Sequence, residues 1–414
     1  MSAVALTAML GSLVGKVSDE GMPLAVRLWN GEQVGAKQPR VTLALRSPSA
    51  LKLLLKPSAG KLAEAYVEEL IDVEGTARDV VSLGLSLSKT GVGKAQSKLL
   101  GGHHDRRSDR KAIEFHYDVS NDFYALWLDR NLVYSCGYFR NETDSLDAAQ
   151  EQKLEHICRK LCLQRGERLL DIGCGWGGLM LWASEHYGTR CLGITLSKQQ
   201  HAYVDEQIRA RKLEAVCEVR LLDYRDLEPE LCFDKIVSVG MFEHVGRKNL
   251  PTYFGTIQRH LEPGGLLLNH GISTSWMEGQ SLSSDVGDFI DRYVFPDGEL
   301  VHIAKTMTEI GACGLEVRDV ECLRQHYART LWHWVERLDQ NADAARQMVG
   351  EKAYRIWRTY MAGSALAFEH GWISLYQVLA GKPRDDGALP HPLTREHLYE
   401  NLYSGTTATE GLLP

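Results

Sequence analysis

An α/β fold, a doubly wound Rossmann-like sheet preceded by a small α+β module, is predicted by three observations. From about Ala112 onward, strand-like and helix-like segments alternate regularly. The first strand of that series runs into a glycine-dense turn, Asp171-Ile172-Gly173-Cys174-Gly175-Trp176-Gly177-Gly178. The first 86 residues carry short strands and helices without that alternation.

In residues 1–86 the pieces Leu24–Trp29 and Val41–Leu45 read as strands, and Ala50–Leu55 and Lys61–Glu69 as helices. The opening MSAVALTAMLGSLVGK lacks a basic n-region and a cleavage site, so it reads as a short helix and not as a signal peptide. Residues 87–111 read as a basic linker. Between Ser86 and Lys111 the seven cations Lys89, Lys94, Lys98, Arg106, Arg107, Arg110 and Lys111 face only Asp105 and Asp109. The plain reading is a solvated connector. The sharper one is contact with anionic phospholipid headgroups, worth roughly 1 kcal/mol per basic residue.

Residues 112–414 form the larger domain. Its strands are expected at Arg168–Ile172, Arg190–Thr195, Cys217–Leu222, Lys235–Val239 and Leu266–Asn269, with helices at Leu179–His186 and Ser197–Arg211 between them. Such alternation implies a parallel sheet covered on both faces, with ligands at the carboxyl ends of its strands.

Composition narrows the function. The 414 residues are 44% hydrophobic and 24% charged with a net charge of −7, an ordinary balance that gives no support to nucleic-acid binding. Nine cysteines show no C-x-x-C pair and no zinc-like spacing, so reduced thiols in a cytosol and no metal centre are expected. No apolar run is long enough to cross a bilayer, which leaves only peripheral membrane contact.

Gly173, Gly175 and Gly178 satisfy G-x-G-x-x-G, which dinucleotide sites share. Asp171 separates the readings. It would repel a pyrophosphate and welcome the amino group of S-adenosylmethionine (SAM). The second strand is followed by no acid of the kind an NAD ribose needs. Thr195 and Gln200 offer a hydroxyl and an amide there, although Ser197 and Gln200 also have capping-box spacing. Asp223 and Tyr224 follow the third strand, where an adenine would meet a polar group and a ring, or where an Asx-turn simply closes a loop.

Further motifs flank this core: Phe115-His116-Tyr117-Asp118, Val133-Tyr134-Ser135-Cys136-Gly137, Met241-Phe242-Glu243-His244, Asn269-His270-Gly271-Ile272 and His326-Tyr327-Ala328-Arg329. Together they resemble the cyclopropane fatty-acyl-phospholipid synthases and their mycolic-acid relatives over residues 113–390. The resemblance implies methylene transfer from SAM to a cis double bond of an unsaturated phospholipid acyl chain, with bound bicarbonate as the base. It implies that Tyr117, Tyr134, Ser135, Gly173, Gly175, Thr195, Leu196 and Gln200 contact SAM. It also implies that Cys136, Glu243, His270, Ile272 and Tyr327 hold the bicarbonate. Where the family commonly has a second cysteine, this chain has Ser364. A homodimer, a cytoplasmic location and association with the inner membrane face are likewise implied.

The residue types suit that chemistry. An alkene has no proton to lose beforehand, so the site needs a dry pocket, stabilisation of a transient cation and a weak base. Aromatic faces contribute roughly 0.5–2 kcal/mol each toward a nearby cation. The aromatics of Phe289–Pro296 with Trp332, Trp334 and Trp357 read either as an acyl channel or as helical core. The alternatives are a related methyltransferase giving a methyl or methylene branch, one acting on a small amine, and a lipid-binding protein without chemistry.

Overall fold

The computed structural model describes residues 10–11, 14–15, 21–55, 58–90, 120–275 and 300–399. The N-terminal module is a four-stranded sheet of β1 (Leu24–Arg27), β2 (Gln33–Gly35), β3 (Val41–Leu45) and β4 (Ile71–Glu74), ordered β2-β1-β3-β4. β1 and β3 are parallel, while β2 and β4 flank them antiparallel. The helix Ala59–Val67 starts at Ser58, whose side chain accepts from the Lys61 backbone N–H, a hydroxyl N-cap. The helix Ala77–Thr90 runs on past residue 86. β2, β4 and this helix were not anticipated: β2 has three residues and β4 four, too short to display a period.

The larger region carries a seven-stranded sheet. Its strands are β5 (Arg168–Ile172), β6 (Arg190–Thr195), β7 (Cys217–Leu221), β8 (Phe233–Val239), β9 (Leu261–Thr274), β10 (Glu316–Cys322) and β11 (Ile373–Gly381), in the order β10-β11-β9-β8-β5-β6-β7. β5 pairs in parallel with both β6 and β8, so the strand order reverses beside it and a crevice opens at its carboxyl end. The expectation of a parallel sheet holds for β5 to β9. It fails at β11, which pairs antiparallel with both β9 and β10. β11 follows a long helical stretch, and its apolar run alone does not reveal strand direction.

Alternate residues of each strand enter opposite cores, as a period of two requires. Leu169, Val237, Leu268 and Leu379 pack on one face, with Leu154, Ile157 and Met180 from the helices Leu146–Lys160 and Gly178–Tyr187. Leu170, Ile236, Leu267 and Val378 pack on the other, with Tyr253, Phe254, Ile257 and Ile310 from the helices Leu250–His260 and Ile303–Ala312. By the same alternation Asp171 and His270 lie on the face of the helix Leu146–Lys160.

A third, aromatic-rich core contains Phe123, Tyr124, Trp127, Trp334 and Trp357. Trp334 and Trp357 are therefore core residues, and neither lines either of the two cavities described below. Trp332 lies under the Arg78 guanidinium and donates its indole N–H to Glu369 at 2.9 Å. The run Phe289–Pro296 and the basic segment 91–111 lie outside the described residues. The N-terminal module is locked to the helical stretch Ala342–Glu369, which is kinked at Gly350 (φ 81°), by Arg355, which donates to the Tyr66 carbonyl at 2.8 Å and to Asp72 at 2.7 Å.

Candidate active site

The glycine turn is built from left-handed backbone. Gly173, Gly175 and Gly177 have φ of 78°, 56° and 81°. A side chain at Gly173 would meet Met241 at 2.8 Å, and one at Gly178 would meet Val133 at 2.9 Å. Three of the turn's N–H groups are engaged within the fold. The N–H groups of Gly173 and Cys174 donate to the Ile194 carbonyl at 2.9 and 3.1 Å, and that of Gly177 to Cys174 at 2.9 Å.

What the turn borders is a cavity of about 150 Å³. Ten of the eleven residues expected at the cofactor line it: Tyr134, Ser135, Asp171, Gly173, Gly175, Thr195, Leu196, Gln200, Asp223 and Tyr224. The eleventh, Tyr117, lies outside the described residues. Ser197 caps the helix Lys198–Ala210 by accepting from the Gln200 backbone N–H at 3.3 Å. The Gln200 side chain is separate from that cap. Its Oε1 accepts from the Thr195 hydroxyl at 2.8 Å, which leaves the NH₂ as the amide's remaining donor. At Asp223 the Asx-turn is present, and the residue also lines the cavity. Its carboxylate accepts from the Arg225 backbone N–H at 2.9 Å, an Asx-turn, and is clasped by the Arg225 guanidinium at 2.6–2.8 Å. A ligand there meets an acid that is already neutralised.

Two residues that the sequence reading missed, Gln150 and Lys153, shape the cavity floor from the helix Leu146–Lys160. Gln150 donates to the carbonyls of Ser135 and Val133 at 2.8 and 3.3 Å, fixing the strand-like segment that carries Tyr134 to Cys136. Lys153 is 1% exposed, lines the cavity and donates to the Ser135 hydroxyl at 3.1 Å. Burial pushes its ammonium down to about 8, against the pull of Asp129, Cys136 and Asp171. Burial likewise raises Asp171 to about 7, with Lys153 opposing. The available signal was position: Gln150 and Lys153 fall on the same helical stripe as Leu146, Ile157 and Leu161, where a polar residue is out of place.

A second polar group is buried at the carboxyl ends of β8 and β9. Glu243, in a single helical turn after β8, accepts the Ile272 N–H on Oε1 at 2.7 Å, and its Oε2 is buried without a hydrogen-bond partner. Burial raises its carboxyl to about 7. His270 is fully buried and held well below the usual imidazole range by desolvation, so it is neutral. The Gln377 amide nitrogen lies 3.2 Å from Nδ1, and both His270 Nε2 and Gln377 Oε1 are buried without a hydrogen-bond partner. Orphaned polar groups in a native interior call for an explanation.

Backbone contacts connect Cys136 and Tyr327 with the part of the sheet that holds Ile272. Leu323 donates its N–H to Leu375, which pairs with Ile272 in the sheet. The Cys136 thiol sits 3.9 Å from the Leu323 carbonyl, and Tyr327 stands one helical turn beyond Leu323. The Cys136 thiol is pushed up by burial and stays protonated. The N–H of Ile272 is taken by Glu243, so it is not available to an ion directly. Ser364 lies in the wall of a second, apolar cavity of about 200 Å³.

Residues 104–378 match the family described as Mycolic acid cyclopropane synthetase, and residues 16–94 match a domain of unknown function, DUF7884. The probable fatty acid methyltransferase of Pseudomonas putida is 44% identical over 393 residues, covering 94% of this chain and 100% of that protein. The cyclopropane-fatty-acyl-phospholipid synthase of Escherichia coli K12 is 36% identical over 352 residues, covering 83% of this chain and 89% of the relative. Among solved structures, the mycolic acid cyclopropane synthase CmaA1 complexed with SAH and CTAB superposes with a TM-score of 0.63 at 33% identity. That match covers 66% of this chain and 98% of CmaA1.

Proposed function

The chain belongs to the mycolic acid cyclopropane synthetase family and is a SAM-dependent methyltransferase, and from that premise we propose that it forms cyclopropane rings on unsaturated phospholipid acyl chains. The carrying observation is that two of the residues expected at the ion each keep a buried polar atom without a partner, Glu243 Oε2 and His270 Nε2. A neutral imidazole and a carboxyl poised near neutrality fit bicarbonate. When bound, that ion supplies the base that takes a proton as the ring closes.

The chain's own residues do the rest. The methionine end of SAM carries one ammonium and one carboxylate, which matches Asp171 and Lys153 on the cavity floor. Tyr134 and Trp176 line the same cavity, backed by Tyr124 at ring distances of 5.7 and 4.7 Å. Their faces stabilise the cationic sulfur and the positive charge that develops on the alkene. Burial of Glu243 and His270 excludes water that would otherwise capture that charge.

The acyl chain has an apolar route in the second cavity. Leu62 and Val81 of the N-terminal module, Leu300, Trp372 and Ile373 line it. Ile373 pairs with Thr274, two residues along β9 from Ile272, whose N–H Glu243 accepts. A phospholipid held this way stays in the membrane, and no helix among the described residues is long and apolar enough to cross one. Peripheral docking and a homodimer belong to the same proposal.

Incubation of mixed-acyl phospholipid vesicles with SAM and bicarbonate tests the reading. A 14-dalton gain with loss of the alkene protons supports it, and unchanged acyl chains refute it. The 44% identity to a protein named as a fatty acid methyltransferase favours a second reading, a methylene branch. That product gains the same mass but keeps an alkene, so proton NMR separates the two.

A further inference from the structure

Away from both cavities, the C-terminal run after β11 folds back over the end of the helix Leu146–Lys160. There Cys162, His391 and His397 each offer one ligating atom within 4.8 Å of the other two. The two imidazoles are oriented alike. His391 directs Nδ1 at the Pro392 carbonyl at 3.0 Å, and His397 directs Nδ1 at the Thr394 carbonyl at 3.2 Å. A ring nitrogen facing a carbonyl carries the proton, so both Nε2 atoms are bare lone pairs. Both are buried and have no hydrogen-bond partner. Two desolvated acceptors beside a thiol are costly without something to bind. An Nδ1–H held by backbone with the opposite nitrogen left open is how proteins aim metal-binding histidines.

Cys162 is presented by the backbone in an equally specific way. It follows the helix end with a left-handed φ of 50°. Its N–H donates to Arg159 at 2.9 Å and that of Leu163 to Cys158 at 3.2 Å, a Schellman-type turn where glycine is usual. A cysteine there costs about 1–2 kcal/mol of backbone strain relative to glycine. Its Sγ faces the Lys160 carbonyl at 3.9 Å, a weak contact that holds the thiol loosely.

We propose that Cys162, His391 and His397 form a zinc site that clasps the C-terminal run onto the helix bearing Lys153. One thiolate with two imidazoles is a borderline donor set suited to Zn²⁺, with water in the fourth position. Tetrahedral bonds of 2.0–2.3 Å would bring the donors to about 3.3–3.6 Å apart, a closure of roughly 1 Å by side-chain rotation. The clasp reinforces ties already present, the bond from Arg159 to the Leu398 carbonyl at 3.3 Å and the Arg395–Asp319 ion pair. Sequence spacing could not display it, because Cys162 and the histidines stand more than two hundred positions apart.

The full chain, purified, stripped with chelator, reloaded with Zn²⁺ and dialysed, should retain on the order of one zinc per chain by mass spectrometry. Cobalt loading should add a thiolate-to-cobalt charge-transfer band. Cys162→Gly keeps the turn, because glycine suits the left-handed position, and should lose both the zinc and the band. His397→Gln should lose most of the zinc. Zinc should raise the thermal midpoint of the parent chain and leave that of Cys162→Gly unmoved. Zinc retention by Cys162→Gly equal to the parent's, or none by a parent chain that still binds SAM, overturns the proposal.

Discussion

Glu243 receives the Ile272 backbone N–H on one carboxyl oxygen at 2.7 Å and keeps the other buried without a partner. β9 therefore fixes the carboxyl group while leaving half of its hydrogen-bonding capacity unused. The arrangement has a stability cost that depends on pH. The carboxyl titrates at about 7 in the fold against 4.5 when exposed. A raised folded value means that its stabilising contribution is fully present below pH 4.5 and is lost as pH rises toward 7, levelling off above. Glu243→Gln removes that loss. It should be more stable than the parent at pH 8, by at most about 3 kcal/mol, and nearly equal near pH 4.5. Ring formation should vanish while SAM affinity stays within a few-fold. Urea titrations at the two pH values check the sign, and a variant destabilised equally at both would contradict it.

Lys153 reaches the Ser135 hydroxyl from the cavity floor, beside Asp171. If it meets the methionine carboxylate of SAM, Lys153→Met removes a charge-assisted bond worth about 1.5–3 kcal/mol. SAM affinity should fall roughly 10- to 100-fold by calorimetry. Methylthioadenosine, which has no carboxylate, should bind parent and variant alike. Equal weakening for both ligands would show that Lys153 only supports the fold.

Two glycines of one turn should respond differently to alanine. At Gly173 the left-handed φ of 78° combines with a Met241 contact at 2.8 Å, so strain and overlap add. Gly173→Ala should lose about 2–4 kcal/mol of stability. At Gly175 nothing lies within 4 Å of an added carbon, although φ is 56°. Gly175→Ala should lose only about 1 kcal/mol but should weaken SAM, because the methyl group enters the cavity. Thermal melts with and without SAM separate the two effects.

The SAM side of the protein was legible because its residues are close in sequence and obey local rules. β5, the glycine turn and the capped helix after Ser197 are each specified within about ten residues. The floor was not legible, because Gln150 and Lys153 earn their role only once their helix packs on the sheet. The His270 tautomer depends on Gln377, whose strand was itself unforeseen. The hold of the Ile272 N–H on Glu243 joins residues 29 positions apart. Such long-range pairings leave no period in the chain, so composition and spacing could not report them.

Ser364 was singled out as a departure near the ion, and its place in the fold redirects the question toward the acyl chain. It stands in the wall of the apolar cavity between the N-terminal module and the helix Ala342–Glu369, with Tyr66, Leu366 and Ile373 around the same space. A hydroxyl there is small, and its replacement by a ring would fill the passage without touching the SAM cavity, whose lining it does not share. Ser364→Phe should therefore leave SAM affinity unchanged and reduce turnover on long unsaturated chains at least 10-fold. Shorter acyl chains, which need less of the passage, should lose less. Ser364→Cys nearly conserves volume and should stay within about twofold of the parent, with an unaltered dependence on bicarbonate. Lipid mass spectrometry across a series of chain lengths reads both variants. A Ser364→Phe protein with the parent's rate on every chain length would remove this cavity from the acyl route.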